Sequence, residues 1–248
     1  MVCSEQDIIK AAGLISQAKH LVAFTGAGIS VESGIPPFRG EGGIWSKHDP
    51  SILDIDFFCK HPVESWEAIS KIFYHYFIDA SPNPAHNLLA RMEKEGMLKA
   101  VITQNIDNMH YEAGNRKVIE YHGNSKWLKC SHCGERYELS EVSLDPLPPR
   151  CSLDNEVLKP DFVFFGEGIP TEAASRSVDE ISKADVLMII GSTGEVMPAG
   201  MLPSIAKSNG ATIIEINTER SAFTDDMTDL YLQGPAGELS PLIDSYLF

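Results

Sequence analysis

Thr103-Gln-Asn-Ile-Asp107 and, a little further on, His122-Gly123 put two carboxamides, a carboxylate and an imidazole just beyond short apolar runs. Carboxamides and carboxylates orient a polar substrate, and an imidazole titrates close enough to neutrality to serve as a general base. His122 has a competing reading as a side chain that satisfies backbone at a strand end. The adjoining Gly123 and the amide cluster favour the base. Asn105 and Asp107 can also cap a helix after a parallel strand, and the spacing predicts such a cap from Asn105 for a helix running through Tyr111. Upstream lie Gly26-Ala27-Gly28 and Gly34-Ile-Pro-Pro-Phe38-Arg39-Gly40. Their glycines let backbone approach a pyrophosphate, or simply make a tight turn. The third glycine of a dinucleotide fingerprint is replaced by Val31, and no acidic residue ends a clear second strand, which argues against a hydride-transferring dehydrogenase.

A second group has metal-ligand spacing: Cys130-x2-Cys133-x17-Cys151-x2-Asp154. With a fourth cysteine this is the pattern of a zinc ribbon, and a carboxylate oxygen in that place also ligates zinc. The alternatives are a knuckle that packs without metal and a shell completed by His132. The two remaining cysteines have no spacing partner; Cys3 is expected to be exposed and Cys59 to pack among Phe57 and Phe58.

These groups need a scaffold. Ile8, Ile9, Ala12, Ile15 and Ala18 recur at helical spacing, and Leu21 to Thr25, Ala100 to Thr103, Val118 to Tyr121, Val186 to Ile190 and Thr212 to Ile216 read as short buried strands. Helical patterns over Ala85 to Glu95, Thr171 to Lys183 and Pro198 to Asn209 separate most of them. That alternation predicts an α/β fold with a parallel sheet covered on both faces, whose ligands collect beyond the carboxyl ends of the strands. Two stretches interrupt it. One carries an apolar stripe of Trp66, Ile69, Ile72, Phe73 and Phe77; the other holds the cysteine cluster.

With 248 residues, of which 43% are hydrophobic, the chain can bury a full core. Its formal net charge of −15 repels nucleic-acid backbones and attracts basic partners. No stretch approaches the roughly 20 apolar residues of a membrane span, and the start, Met1-Val2-Cys3, shows neither a signal core nor a myristoylation glycine. The expectation is a cytoplasmic protein that binds neither nucleic acid nor membrane.

Gly26 to Ser30, Gly34 to Gly40, Thr103 to Asp107, His122-Gly123, Phe164-Phe-Gly-Glu167 and Glu215-Ile-Asn217 occur in an order that closely resembles the sirtuin family of NAD-dependent protein deacylases. The resemblance covers nearly the whole chain. It implies a Rossmann-like NAD-binding domain (1–40, 82–125 and 161–248) and a smaller domain made of a helical module (41–81) and a zinc-ribbon-like module (126–160). It also implies an enzyme that consumes NAD. The nicotinamide-ribose bond breaks, the acyl oxygen of an acetylated lysine captures the ribose, and nicotinamide, deacylated lysine and an acylated ADP-ribose leave.

By resemblance, Asp107 and the Ile106 backbone hold the nicotinamide amide, Gln104 and Asn105 position the ribose and a water, and Phe38 shields the reacting centre. Gly26, Ala27, Gly28 and Val31 line the cofactor turn, with Arg39 on the loop closing over NAD. Gly191, Ser192 and Thr193 meet phosphate or ribose oxygens, Asn217 the adenosine ribose, and Ala236 the adenine. His122 deprotonates a ribose hydroxyl. Zinc, if held by Cys130, Cys133, Cys151 and Asp154, is structural. An acetylated protein or peptide segment lies between Val163, Phe165, Gly166 and Glu167 on one side and Glu195 and Val196 on the other. Glu195 and Glu167 then favour basic residues beside the target lysine. Family members that take succinyl or malonyl lysine carry a Tyr-x-x-Arg pair where this chain has Ile69 and Ile72, which implies acetyl or longer apolar acyl groups. The competing functions are mono-ADP-ribosyl transfer in the same pocket and a non-catalytic NAD-sensing interaction module.

Overall fold

The computed structural model describes residues 3–39 and 42–248; Met1, Val2, Gly40 and Glu41 lie outside the described residues. The first helix, α1 (Glu5–Gln17), starts where the Ser4 hydroxyl accepts the Asp7 N–H and Asp7 answers to the Ser4 N–H, a reciprocal cap that satisfies two orphan donors. Its apolar stripe buries Ile8, Ala11, Ala12 and Ile15. Strand β1 (Leu21–Thr25) is buried along its whole length, as a central strand covered on both faces must be.

The aromatic-rich stretch then supplies α2 (Ile55–Lys60), α3 (Pro62–Ile69) and α4 (His75–Asp79), with a wide π-helical turn over Ser70–Tyr74 between the last two. Trp66, Ile69, Ile72 and Phe73 are buried as their spacing predicts, and Phe77 is half-buried against them. Helix α5 (Pro84–Lys94) opens on an Asn83 cap. Strand β2 (Leu98–Thr103), α6 (Met109–Ala113) and β3 (Val118–Glu120) follow. Next come β4 (Gly123–Cys130), β5 (Arg136–Glu138) and β6 (Leu158–Phe162). The chain ends with α7 (Thr171–Lys183), β7 (Val186–Ile190), α8 (Leu202–Ser208), β8 (Thr212–Asn217), β9 (Leu230–Gln233) and α9 (Ala236–Leu247).

Six strands form one sheet in the order β3-β2-β1-β7-β8-β9, every pair parallel. Successive side chains along a strand face opposite ways, so Leu21 and Ala23 join the core under α1, α5 and α9 while Val22 and Phe24 join the core under α7 and α8. The chain leaves β1 toward β2 on one side and returns through β7 on the other. A crevice must therefore open beyond the carboxyl end of β1, where adjacent loops turn away from each other.

The two interruptions share a third core. Strands β5-β4-β6 make a small antiparallel sheet, and Leu128, Cys130, Leu158 and Phe162 pack with Phe58, Trp66, Ile69 and Phe73. The Trp66 indole N–H donates to the Leu158 carbonyl at 2.8 Å and ties helix to sheet.

Five local readings are corrected. The sixth parallel strand, β9, was not anticipated, because four residues with only Leu230 and Leu232 turned inward give little apolar signal. The stretch Pro198 to Asn209 is a 3-10 turn, Ala199–Met201, followed by the shorter α8, since Pro203 cannot donate inside a continuous helix. Cys59 is exposed, on the outer face of a short helix, and Cys3 is half-buried against the core under α1. Asn105 caps no helix: α6 begins at Met109, whose N–H is accepted by Asp107 at 3.0 Å.

Candidate active site and metal centre

A cavity of about 840 Å³ opens at the predicted crevice, within the usual range for small-molecule sites. The turn after β1 forms its floor. Gly28 N–H donates to the Gly191 carbonyl at 2.8 Å, and a Cβ on Gly28 would stand 2.5 Å from the Gly191 Cα. Two backbone turns thus touch with no room for a side chain. Gly191 itself has φ +64°, a conformation that favours glycine.

The amides are held from below. Gln104 donates to the Ser192 hydroxyl at 2.9 Å, and Asn105 donates to the Gly26 carbonyl at 3.1 Å and to Ser30 Oγ at 3.2 Å. Ser30 Oγ–H in turn donates to Asp107 at 2.6 Å. Asp107 is buried, which pushes its pKa up against the opposing effect of these hydrogen bonds. It lines a small pocket beside the main cavity together with Ala27, Phe38, Asn105 and Ile106.

His122 has one decisive contact. Its Nδ1 lies 3.0 Å from the Gln104 carbonyl oxygen. A carbonyl only accepts, so Nδ1 carries the hydrogen and the neutral ring presents its Nε2 lone pair. The ring lines the cavity, and burial lowers its pKa, so the neutral form dominates at pH 7.

The remaining expected residues divide by position. Gly26, Ala27, Gly28, Val31, Phe38, Arg39, Gln104, Asn105, Ile106, Gly191, Ser192, Thr193, Asn217 and Ala236 all line the cavity, as do Val163, Phe165, Gly166, Glu167 and Val196. Asn217 is oriented by Ser192 O and by the buried Glu215 carboxylate, which also receives Ser221, Thr224 and Thr228 hydroxyls. Glu195 stands at the rim with its carboxylate 3.9 Å from the Arg39 guanidinium. The Glu167 carboxylate turns toward Lys159 Nζ at 3.0 Å, which spends much of the charge expected to face substrate.

Sequence reasoning missed the apolar wall made by Trp45, Leu53, Phe73 and Phe162, and it missed Ser30, Glu32 and His86. Ser30 had a signal, two residues past Gly28. The apolar wall had none, because only the shared third core carries Phe73 and Phe162 to the crevice.

Cys130, Cys133, Cys151 and Asp154 offer ligand atoms that all lie within 4.8 Å of one another. Cys133 and Cys151 sulfurs are 3.6 Å apart, and Cys130 sulfur is 3.5 Å from the Asp154 oxygens. A tetrahedral zinc with ordinary bond lengths has edges of about 3.8 Å between sulfurs and about 3.5 Å between sulfur and oxygen. The four residues therefore fit zinc, with His132 outside the shell, its Nδ1 2.9 Å from an Asp154 oxygen.

The Sir2 family model matches residues 26–198. The chain belongs to the Sir2 family. It is 43% identical to an NAD-dependent protein deacylase of Pyrococcus abyssi over 95% of this chain and 96% of that one. It is also 43% identical to NAD-dependent protein deacylase 2 of Archaeoglobus fulgidus, over 96% of this chain and 95% of that one. Among solved structures, a Sir2 homolog–NAD complex aligns with TM-score 0.88 and 38% identity, over 96% of this chain and 93% of that one. A Sir2–p53 peptide–NAD+ complex aligns with TM-score 0.87 and 36% identity, over 95% of this chain and 96% of that one. The family and the α/β fold expected from the motifs are those found. Among the described residues no helix is long and apolar enough to cross a membrane.

Proposed function

We propose that this Sir2 chain is an NAD-dependent protein-lysine deacylase, acting on acetylated lysine in proteins or peptides. The observation that carries the reading is the fixed tautomer of His122. NAD supplies the glycosidic bond that breaks and the ribose that receives the acyl group. The acetylated lysine supplies the acyl group and the oxygen that attacks the ribose, and the chain supplies the groups that hold and deprotonate them. His122 Nε2 takes the proton of a ribose hydroxyl, and Gln104 keeps the ring from turning. Asn105, itself anchored on Gly26 and Ser30, positions the ribose and a water, while Asp107 and Ile106 receive the carboxamide of the leaving ring. Phe38, packed 5.7 Å from Trp45 and 6.0 Å from Phe73, excludes water from the reacting centre.

Gly26, Ala27, Gly28, Gly191, Ser192 and Thr193 cradle the pyrophosphate, Arg39 closes over it, and Asn217 and Ala236 take the adenosine end. The peptide runs between 163–167 and 195–196. Ile69 and Ile72 are fully apolar and buried, so an acidic acyl group would lose its hydration with no cation to replace it. Zinc, held by Cys130, Cys133, Cys151 and Asp154, braces the small sheet and takes no part in the chemistry. The division into a Rossmann-like domain and a smaller two-module domain belongs to the same reading. So does a cytoplasmic setting, which keeps three ligand thiols reduced. The charge of −15 supports basic protein segments, and not nucleic acid or membranes, as partners.

The test incubates the chain with NAD and an acetyl-lysine peptide and follows nicotinamide release and peptide mass together. Release with loss of the acetyl mass is expected. A gain of an ADP-ribosyl mass replaces this reading with transfer to a side chain, and intact NAD ends the enzymatic reading.

A further inference from the structure

Lys159 is a buried lysine on β6, the strand that leads into 163–167, and it does not touch the cavity. An ammonium has three donors. All three are used, toward Pro160 O at 3.0 Å, Phe162 O at 2.6 Å and Glu167 Oε2 at 3.0 Å, while the Phe164 ring centroid lies 4.0 Å from Nζ. Glu167 closes the ring by accepting the Phe164 N–H at 2.7 Å. The chain from 160 to 167 is thus wrapped around one positive charge.

That turn carries Val163, Phe165, Gly166 and Glu167, which line the cavity. Phe165 N–H donates to Leu53 O and Phe165 O accepts from Ile55 N–H, fixing one side of the segment to the helical stretch, while Val163 N–H donates to the His122 carbonyl. Gly166, at φ +87°, then reverses the chain with its Cβ position 3.2 Å from Ile55. The Glu167 N–H also donates to the Phe164 carbonyl at 3.0 Å and closes the turn from 164 to 167; the ammonium adds the link from that turn back to the Pro160 and Phe162 carbonyls.

We propose that Lys159 is the positioning residue for the peptide edge of the active site: its ammonium templates the 160–167 turn against which acylated substrate pairs. This rests on the reading of 163–167 as the peptide edge. Loss of the charge leaves Glu167 and two carbonyls without their shared partner, so the edge loosens while the NAD turns and the His122 ring, held by Gln104, stay in place.

The experiment compares wild type with Lys159→Met in steady-state deacetylation, varying peptide and NAD separately. The expected result is a rise of about tenfold or more in KM for the peptide, the order given by losing a charge-assisted hydrogen bond, with kcat and KM for NAD within about threefold. A merely structural fault would lower kcat and NAD affinity together. A peptide KM within about twofold of wild type overturns the proposal, as does a loss confined to kcat. Should Lys159→Met give no NAD-dependent rise in melting temperature, Glu167→Gln carries the test, with a peptide KM raised about threefold expected and an unchanged KM overturning it. Failure of wild type to release nicotinamide refutes the deacylase reading instead, so the two failures are distinguishable.

Discussion

Acidification should expose a weakness in the core behind Thr25 and Ser30, whose hydroxyls meet two buried histidines. His86 and His110 are buried with their rings 5.0 Å apart, and burial lowers both pKa values, that of His86 to about 4. Both rings are therefore neutral in the folded chain at pH 7, whereas the unfolded chain protonates each near pH 6.5. Between those limits the unfolded state binds more protons, so stability is fully present above about pH 6.5 and falls as pH drops toward the folded pKa. For His86 the window from about 6.5 to about 4 corresponds to roughly 3 kcal/mol at about 1.4 kcal/mol per pH unit. That is a large share of the 5–15 kcal/mol typical of a domain, taken as roughly the range here. Asp107 and Glu120, whose pKa values are raised by burial, act oppositely, because each holds its proton more firmly when folded. They remain in a His86→Gln variant and cancel in the difference. Urea unfolding of both proteins, followed by tryptophan fluorescence from pH 7 to pH 4, is the assay. Wild type should lose stability more steeply than the variant, by about 1.4 kcal/mol per pH unit through the window. Parallel curves would refute the reasoning.

Other consequences are open to direct measurement. His122→Ala should fold and bind NAD but lose deacetylation by about a hundredfold or more; near wild-type turnover removes the general base. In wild type the acid limb of kcat/KM should lie below about pH 6.5, because the base is neutral above its lowered pKa, and a limb above that value contradicts the burial of His122. Gly28→Ala forces apart backbones with a 2.5 Å approach and should weaken NAD binding in calorimetry by at least about tenfold, or cost about 1–3 kcal/mol of stability. Protein purified without chelator should carry about one zinc per chain, and stripping it should lower the melting temperature while the NAD turns keep their geometry; a zinc content near zero by elemental analysis ends the metal assignment. Succinyl-lysine peptide should be turned over far more slowly than acetyl-lysine peptide, and comparable rates would show a cation that Ile69 and Ile72 do not provide.

The expected preference for basic residues beside the target lysine is sharpened by the rim. Glu167 is spent on Lys159, and Arg39 stands near Glu195, an exposed pair of the kind that contributes little. A basic peptide would have to compete with Arg39 for Glu195, so the selectivity rests on that one carboxylate.

Much of this molecule is legible in its local chemistry. Short, largely buried strands running into Gly26, Gln104 and Gly191 announce a parallel sheet with a crevice at their carboxyl ends, because apolar runs, strand length and glycine punctuation are properties of neighbouring residues. The metal spacing and the types of the polar residues are equally local, and so is the order of motifs that marks the family. Other features belong to the tertiary structure alone. The neutral tautomer of His122 depends on the carbonyl of Gln104, the apolar wall depends on Phe73 and Phe162 meeting across the third core, and the tie across the 160–167 turn depends on Lys159 reaching Glu167. Sequence fixes which groups are present and which strand ends carry them, since these follow from short-range periodicity. Only folding decides which lone pair faces the cavity and which charge is already spent, because those are set by partners that meet through packing and not through position along the chain.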